Sequence, residues 1–258
     1  MSDLLQGKVA VITGAASGNG RAMAIRFAEE GAKAVVVADV RDTPREGGAT
    51  TVELVEELGA RAVFVRTDIS KRADVRAAVA AAAEFGGLDV FVNNAGIVLF
   101  EADPLATTDE DFDKIVNVNL KGTWVGSQEA IRDWTERGVP GSLINVSSIG
   151  GIQGSRGTPL YSTTKGGIRL LTYALADAYA ERGIRVNAVH PGIVDTEMLR
   201  SNLAPLADSG VDQMASIPMR RPAQPREIAD AAVFLASDLS SYASGSSVVV
   251  DGGFTSSM

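Results

Sequence analysis

Short apolar runs alternate along the chain with longer stretches in which apolar residues recur every three to four positions. The short runs are Lys8–Ile12, Ala34–Ala38, Arg61–Val65, Leu88–Val92, Ser142–Val146, Ile184–Val189 and Ser246–Val250. They are rich in β-branched residues and do not alternate with polar ones, as expected of strands buried on both faces. The longer stretches, Gly20–Glu30, Thr50–Leu58, Lys71–Phe85, Thr108–Arg137, Tyr161–Arg182 and Pro225–Ala236, read as helices. Gly31, Gly59 and Gly86-Gly87 stand where three of them should stop. Strand and helix in this rhythm predict βαβ units. The expected fold is a single α/β domain, a doubly wound parallel sheet of about seven strands with helices on both faces.

No charge block, repeat or linker divides residues 1–258, so one domain is expected. Segment Gly192–Pro218 breaks the rhythm. It follows a strand, has weak periodicity, and carries Met198, Leu199, Leu203, Leu206, Met214 and Ile217. A stretch that long is read as a substrate lid over 192–218. The competing reading is a pair of short surface helices.

Composition narrows the chemistry. The formal charge is −8, with one His and no Cys in 258 residues. A thiol nucleophile, a disulfide scaffold and a Cys- or multi-His metal site are excluded, so no metal is expected. The acidic balance argues against a nucleic-acid partner. No basic start followed by an apolar stretch marks a signal peptide, and no apolar run approaches the ~18–20 residues that span a bilayer. A cytoplasmic protein with no membrane contact is the expectation.

The first strand leads into Thr13-Gly14-Ala15-Ala16-Ser17-Gly18-Asn19-Gly20. Glycines here permit a tight turn and let backbone approach a pyrophosphate, which a following helix N-terminus attracts. With 27 glycines in the chain the spacing alone is weak; its place at the first strand-to-helix turn gives it weight. Asp39 ends the second strand, 39 − 20 = 19 residues on. An acid there hydrogen-bonds the adenosine ribose and repels a 2′-phosphate, favouring NAD over NADP. Arg41 and Arg45 argue the other way, and Asp39 read as a turn residue only is the bland alternative. Asn19, between two glycines, and the loop Val40–Gly48 are left without a settled role.

Several polar strand ends converge on one rim: Asn93-Asn94-Ala95-Gly96, Ser147-Ser148 and Pro191-Gly192. Ligands of parallel sheets bind there. Tyr161 and Lys165, four apart in a helical stretch, share a face. An ammonium beside a phenol is expected to lower its pKa toward neutrality. His190, the single histidine, is expected to be a satisfied structural residue. Trp124 and Trp134 are expected in the core or at a subunit contact.

These motifs, with Asn119 in Val118-Asn119-Leu120 and Pro191-Gly192-x3-Thr196, resemble the short-chain dehydrogenase/reductase family in its single-domain, Rossmann-type branch of about 250 residues. The resemblance covers Lys8 to Gly253. It implies Tyr161 as general acid/base, Lys165 as the group that lowers its pKa and binds the nicotinamide ribose, and Ser148 as the holder of the carbonyl or alcohol. The resemblance also implies Ser148 rather than Ser147, because the family's spacing to the tyrosine is the thirteen residues found here. Asn119 is implied to hold a water that joins Lys165 to solvent, though capping or kinking its helix is the alternative.

The implied cofactor set is Gly14, Ser17, Gly18, Asn19, Gly20, Asp39, Val40, Asp68, Ile69, Asn94, Ala95, Gly96, Tyr161, Lys165, Pro191, Gly192, Val194 and Thr196. Asp68 as a helix-start residue is the alternative for that position. The substrate set is Ser148, Gln153, Tyr161 and Met198, in walls from Ile97–Phe100, Ile149–Thr158 and the lid.

The resulting expectation is an NAD-dependent oxidoreductase acting on a small-molecule secondary alcohol or ketone, apolar like a steroid, terpenoid or cyclic alcohol. The alternatives are an NADP-dependent 3-oxoacyl thioester or sugar reductase, and a non-catalytic nucleotide sensor. A nucleotide-sugar epimerase or dehydratase needs a longer chain. The family resemblance also implies a homo-oligomer, a tetramer before a dimer.

Overall fold

The computed structural model describes residues 3–100, 103–203 and 214–256. Seven strands form one sheet: β1 (Val9–Thr13), β2 (Ala34–Asp39), β3 (Arg61–Arg66), β4 (Val90–Asn93), β5 (Gly141–Val146), β6 (Ile184–Pro191) and β7 (Ser247–Val250). Every pairing is parallel, in the order β3-β2-β1-β4-β5-β6-β7. The chain reverses its direction of travel between β1 and β4, and a ligand crevice opens at such a switch point.

Eight helices flank the sheet among the described residues: α1 (Gly18–Glu29), α2 (Thr51–Glu57), α3 (Arg72–Ala81), α4 (Asp109–Ile115), α5 (Gly122–Arg137), α6 (Pro159–Tyr179), α7 (Glu197–Leu203) and α8 (Pro225–Ala236). No helix among those residues is long and apolar enough to cross a membrane.

Alternation along β1 shows why the strands carry apolar residues at both parities. Ala10 and Ile12 face one core, with Met23 and Phe27 of α1 and Ile228 and Val233 of α8. Val9 and Val11 face the other, with Val75 of α3, Ile131 and Trp134 of α5 and Leu175 of α6. Each strand residue points to one of two packed layers, so both parities are apolar except where a buried polar side chain finds a hydrogen-bond partner.

Trp134 is fully buried and donates its indole N–H to Leu88 O at 2.9 Å. It fits because Gly141 has no side chain: a Cβ there would lie 2.2 Å from the indole. Trp124 is 42% exposed, so the two tryptophans of α5 part company. At the other end of the fold, Thr50 and Glu53 form a capping box that starts α2.

Three predicted helices are interrupted. The stretch Thr108–Arg137 is α4, a π-helical segment over Val116–Lys121, and α5. Lys71–Phe85 is α3 followed by a 3₁₀ turn, and Tyr161–Arg182 starts two residues early as α6 and ends in another 3₁₀ turn. The π segment has no apolar-period signature, because one extra residue per turn shifts the phase only locally.

A buried polar brace lies beneath the rim. Asn93 Nδ2 donates to Ser127 Oγ at 3.1 Å and to Asn145 Oδ1 at 2.9 Å. Asn145 Nδ2 donates to Thr172 Oγ1 at 3.0 Å. The brace ties β4 and β5 to α5 and α6, and satisfies groups whose burial would otherwise cost ~1–3 kcal/mol each.

Candidate active site

The glycine turn is shaped by contacts that leave no room for side chains. Gly14 and Gly18 have φ of +65° and +56°, values that favour glycine. A Cβ at Gly20 would lie 2.2 Å from Gly14 O, and one at Gly14 would lie 2.9 Å from Ala95 Cα. Thr13 Oγ1 accepts from the backbone N–H of both Asn94 and Ala95, at 3.0 and 3.1 Å. Asn94 Nδ2 donates to Thr13 O at 2.9 Å. The ends of β1 and β4 are thus fastened edge to edge.

Asn19 Oδ1 is buried with no hydrogen-bond partner among the described residues. A dinucleotide fits these features: a cradle of small residues, the N-terminus of a twelve-residue helix, and a buried polar atom awaiting a partner.

Asp39 stands beside that cradle. Its Oδ2 accepts from Ala16 N at 3.0 Å, and its Oδ1 accepts from Val40 N at 2.7 Å. Ser17 Oγ accepts from Arg45 N at 2.8 Å, and Glu46 accepts from Gly18 N at 3.0 Å. Loop Val40–Gly48 therefore folds back onto Ser17 and Gly18. The bond from Gly18 to Glu46 carries no sequence signal, since its register depends on how the loop closes.

Asp68 is committed to its own turn. Its Oδ1 accepts from Ser70 N and Ser70 Oγ, and the hydroxyl bond leads in holding its carboxyl below the ordinary range. Ile69 is buried, with a Gly122 Cβ position only 2.7 Å away. Gly192 meets Asp251, where a Cβ would lie 2.7 Å from Cα, and follows Pro191 at the end of β6. Val194 bridges Ala223, and Thr196 packs over Gly18, at 3.4 Å from a Cβ position there. The base of the expected lid thus reaches the glycine turn.

Beyond Thr196 the lid reading meets α7, with Asp195 paired to Arg200 at 2.9 Å and Met198 46% exposed. Residues 204–213, including Leu206, lie outside the described residues. Ile217 returns to the core and packs on Gly252.

Ser148, Tyr161 and Lys165 come together. Ser148 is 9% exposed, and its hydroxyl accepts from Gly150 N at 3.1 Å and hydrogen-bonds the Tyr161 phenol. Ser147 points elsewhere and donates to Lys165 O at 2.8 Å. The structure separates the two serines that the sequence left as alternatives.

Lys165 is 4% exposed, and its Nζ donates to Val146 O at 2.8 Å. Burial pushes its pKa down to about 8. Burial likewise pushes the Tyr161 phenol up, with the Ser148 hydrogen bond opposing. This corrects the expectation of a phenol lowered by its neighbour. Lys165 Nζ lies 5.6 Å from the Tyr161 ring centroid and spends its hydrogen bond on a carbonyl, so desolvation wins.

Asn119 lies in the π segment and is fully buried. It accepts from Ile97 N at 2.8 Å and donates to Ile97 O at 2.8 Å and to Thr164 Oγ1 at 3.2 Å. A Cβ at Gly96 would lie 3.2 Å from Asn119 Oδ1 and 3.6 Å from Lys165 Nζ. Gly96 keeps the space between these two groups open.

Gln153 lines a groove of about 530 Å³ with Gly150–Arg156, Pro159, Ser162 and Thr163. Neither Tyr161 nor Met198 lines it. Thr13, Thr164 and the Val146 carbonyl were not singled out by sequence. A backbone acceptor has no residue signature, whereas Thr13, directly before Gly14, was visible and unassigned.

The family model described as Enoyl-(Acyl carrier protein) reductase matches residues 14–255. The chain belongs to the short-chain dehydrogenase/reductase family. Its relatives are similar over their whole length. Glucose 1-dehydrogenase 2 of Bacillus subtilis (strain 168) is 39% identical over 97% of this chain and 96% of its own. 3beta-Hydroxysteroid dehydrogenase 1 of Eggerthella lenta is 40% identical over 99% and 96%.

A solved structure from Agrobacterium tumefaciens, described as a 2-deoxy-d-gluconate 3-dehydrogenase with bound NADP, superposes with a TM-score of 0.88. It is 32% identical and covers 99% of both chains. This short-chain dehydrogenase/reductase is an oxidoreductase of a group whose relatives act on alcohols.

Proposed function

We propose that the chain moves a hydride between NAD(H) and the carbinol carbon of an apolar secondary alcohol or its ketone. The observation that carries this reading is the meeting of buried Ser148 with the Tyr161 phenol, its hydrogen-bond partner, and buried Lys165 one turn along the helix from Tyr161.

Bound NAD(H) would supply the hydride acceptor or donor at its nicotinamide ring. Gly14, Gly18, Gly20 and Asn19 would receive the pyrophosphate, and Asp39 the adenosine ribose. Val40, Asp68 and Ile69 are assigned to the adenine side. Asn94, Ala95, Gly96, Pro191, Gly192, Val194 and Thr196 are assigned to the nicotinamide half. Ser148 holds the substrate oxygen, and Tyr161 exchanges a proton with that oxygen. Lys165, held by Val146 O one turn beyond Tyr161, is assigned to the nicotinamide ribose, and Asn119 with the space at Gly96 offers a route for a proton toward solvent.

Because burial raises the phenol, the resting protein is poised to give a proton to a ketone oxygen. Ketone reduction should therefore fall with rising pH, and alcohol oxidation should rise.

Asp39 supports NAD. NAD and NADP titrated against the purified protein, by quenching of tryptophan fluorescence, should favour NAD. Asp39→Ser should shift the ratio toward NADP by ~10-fold or more. Tighter NADP binding by the wild type sinks this assignment. An alcohol panel followed by NADH absorbance tests the reaction itself. Apolar residues in the expected substrate walls (Ile97, Ile149, Ile152) support a steroid-, terpenoid- or cyclic-alcohol-like substrate. Exposed Trp124 on α5 and Leu170 on α6, with Phe234 on α8 and Val249 on β7, support a homo-oligomer. Sedimentation equilibrium measures its size.

A further inference from the structure

We infer that His190 is a positioning residue for Ser148, the last link of a one-way hydrogen-bond chain that starts at Arg169 and runs through Tyr173 and Ser247. The inference rests on the assignment of Ser148 to catalysis above.

The links are short. Arg169 Nε donates to Tyr173 Oη at 2.8 Å. Tyr173 Oη and Ser247 Oγ are 2.9 Å apart, as are Ser247 Oγ and His190 Nε2. His190 Nδ1 lies 3.1 Å from Ser148 O. The direction is forced from the catalytic end. A carbonyl only accepts, so Nδ1 carries the proton. In the neutral ring Nε2 is then bare and must accept, so Ser247 gives its hydroxyl proton to it. Ser247 then has a lone pair left and takes the proton of Tyr173. The phenol oxygen finally accepts from Arg169, a group with no acceptor at all.

Burial keeps the imidazole neutral. His190 is fully buried, and desolvation leads in pushing its pKa down. The charged groups acting on it are both cations, Arg169 and Lys165, which push the same way. Protonation would put a donor on Nε2 facing the Ser247 hydroxyl and turn the Ser247 links around, leaving the Tyr173 oxygen to accept from both Ser247 and Arg169.

Placement gives the chain its purpose. Tyr161, Lys165, Arg169 and Tyr173 follow one another at four-residue steps along α6, a single stripe. The chain leaves the far end of that stripe at Tyr173, crosses to β7 and then β6, and returns to Ser148, which bonds Tyr161. The hydroxyl and the phenol that must share one substrate oxygen are thereby fixed to the same helix by two routes. Partners that hold a reacting group in line are worth most where small displacements cost rate.

A single histidine makes the test direct. Protein labelled with ¹⁵N-histidine should give one imidazole, protonated at Nδ1 and bare at Nε2, and still neutral at a pH where a free histidine, near ~6.5, is half charged. An Nε2–H tautomer, or titration at the ordinary value, overturns the chain. Tyr173→Phe should move the Nε2 resonance, although residue 173 touches neither the ring nor the substrate.

Rates with NAD and the best alcohol of the panel then test positioning. His190→Leu should lower kcat by ~10- to 100-fold. His190→Asn, which keeps a donor for Ser148 O, should recover most of it, and Tyr173→Phe should lose a few-fold. NAD affinity should stay within ~2-fold in all three, since Ser148 is not assigned to the cofactor. A lowered melting temperature with kcat unchanged overturns the positioning role. Should the wild type reduce NAD with no alcohol, the proposed reaction and the positioning role fall together, while the imidazole spectrum still decides the chain.

Discussion

The two sides of the switch point build their parts of the rim from different materials. On the β3-β2-β1 side the site is mostly backbone: glycines, amide groups and a helix end, with Asp39 as the main side chain. On the β4-β5-β6-β7 side it is mostly side chains: Ser148, Tyr161, Lys165, Asn119 and His190, each already partnered. The first half is a space kept empty, and the second a space kept filled. Adding atoms should therefore break the first, and removing atoms the second.

Removal at Tyr161 should have the largest effect. Tyr161→Phe takes away one oxygen and should cost ~10²- to 10⁴-fold in turnover, as read by NADH absorbance. Retained turnover would move the acid/base role elsewhere.

Addition at Gly20 comes next. Gly20→Val drives a branched side chain at Gly14 O and Asn94 Nδ2, 2.2 and 2.6 Å from the Cβ position. The expected outcome is a loss of ~3 kcal/mol or more in stability, with NAD binding weakened beyond detection. Denaturant unfolding measures the first part.

Lys165 sharpens the comparison because function and stability pull apart there. Its ammonium is held down to about 8 in the folded protein against ~10.4 when unfolded. Below pH 8 the fold must carry a buried charge, at a cost of about 3 kcal/mol, and the cost fades as pH rises from 8 toward 10.4. Lys165→Met should abolish turnover yet unfold at higher denaturant than wild type at pH 7, with the gain shrinking by pH 10. A less stable variant at pH 7 would show that the bond to Val146 O outweighs the desolvation.

The smallest effect belongs outside both halves of the rim. Thr50→Ala removes the capping box of α2 and should cost about 1 kcal/mol without touching activity. A change in NAD affinity would mean that the loop before α2 couples to the glycine turn.

The same division explains what could be read in advance. Sheet and helices were legible because each strand faces two apolar layers, as in Val9 to Ile12, and each main helix shows one apolar face. Gly14, Gly18 and Gly20 were legible because only glycine fits where they sit. The meeting of Ser148 with Tyr161 followed from spacing and family resemblance. The state of that pair did not: the raised phenol depends on how deeply α6 is buried, which no spacing records. Nor did the partners of His190 show, since Arg169, Tyr173 and Ser247 are ordinary residues until β7 closes beside β6.

The π-helical segment Val116–Lys121 sets a limit of another kind, on length rather than identity. Each residue added to or removed from a helix turns everything beyond it by ~100°. A π turn holds one residue more than an α turn at almost the same rotation, so the segment takes up a residue that would otherwise turn α5 against α4. Removing that one residue would leave Trp134 facing its slot at Gly141 but would tighten the turn that holds Asn119 against Ile97. An insertion or deletion within α4 or α5 would instead swing Trp134 out of its slot, so the helix is adjustable in length at this one turn and fixed on either side of it.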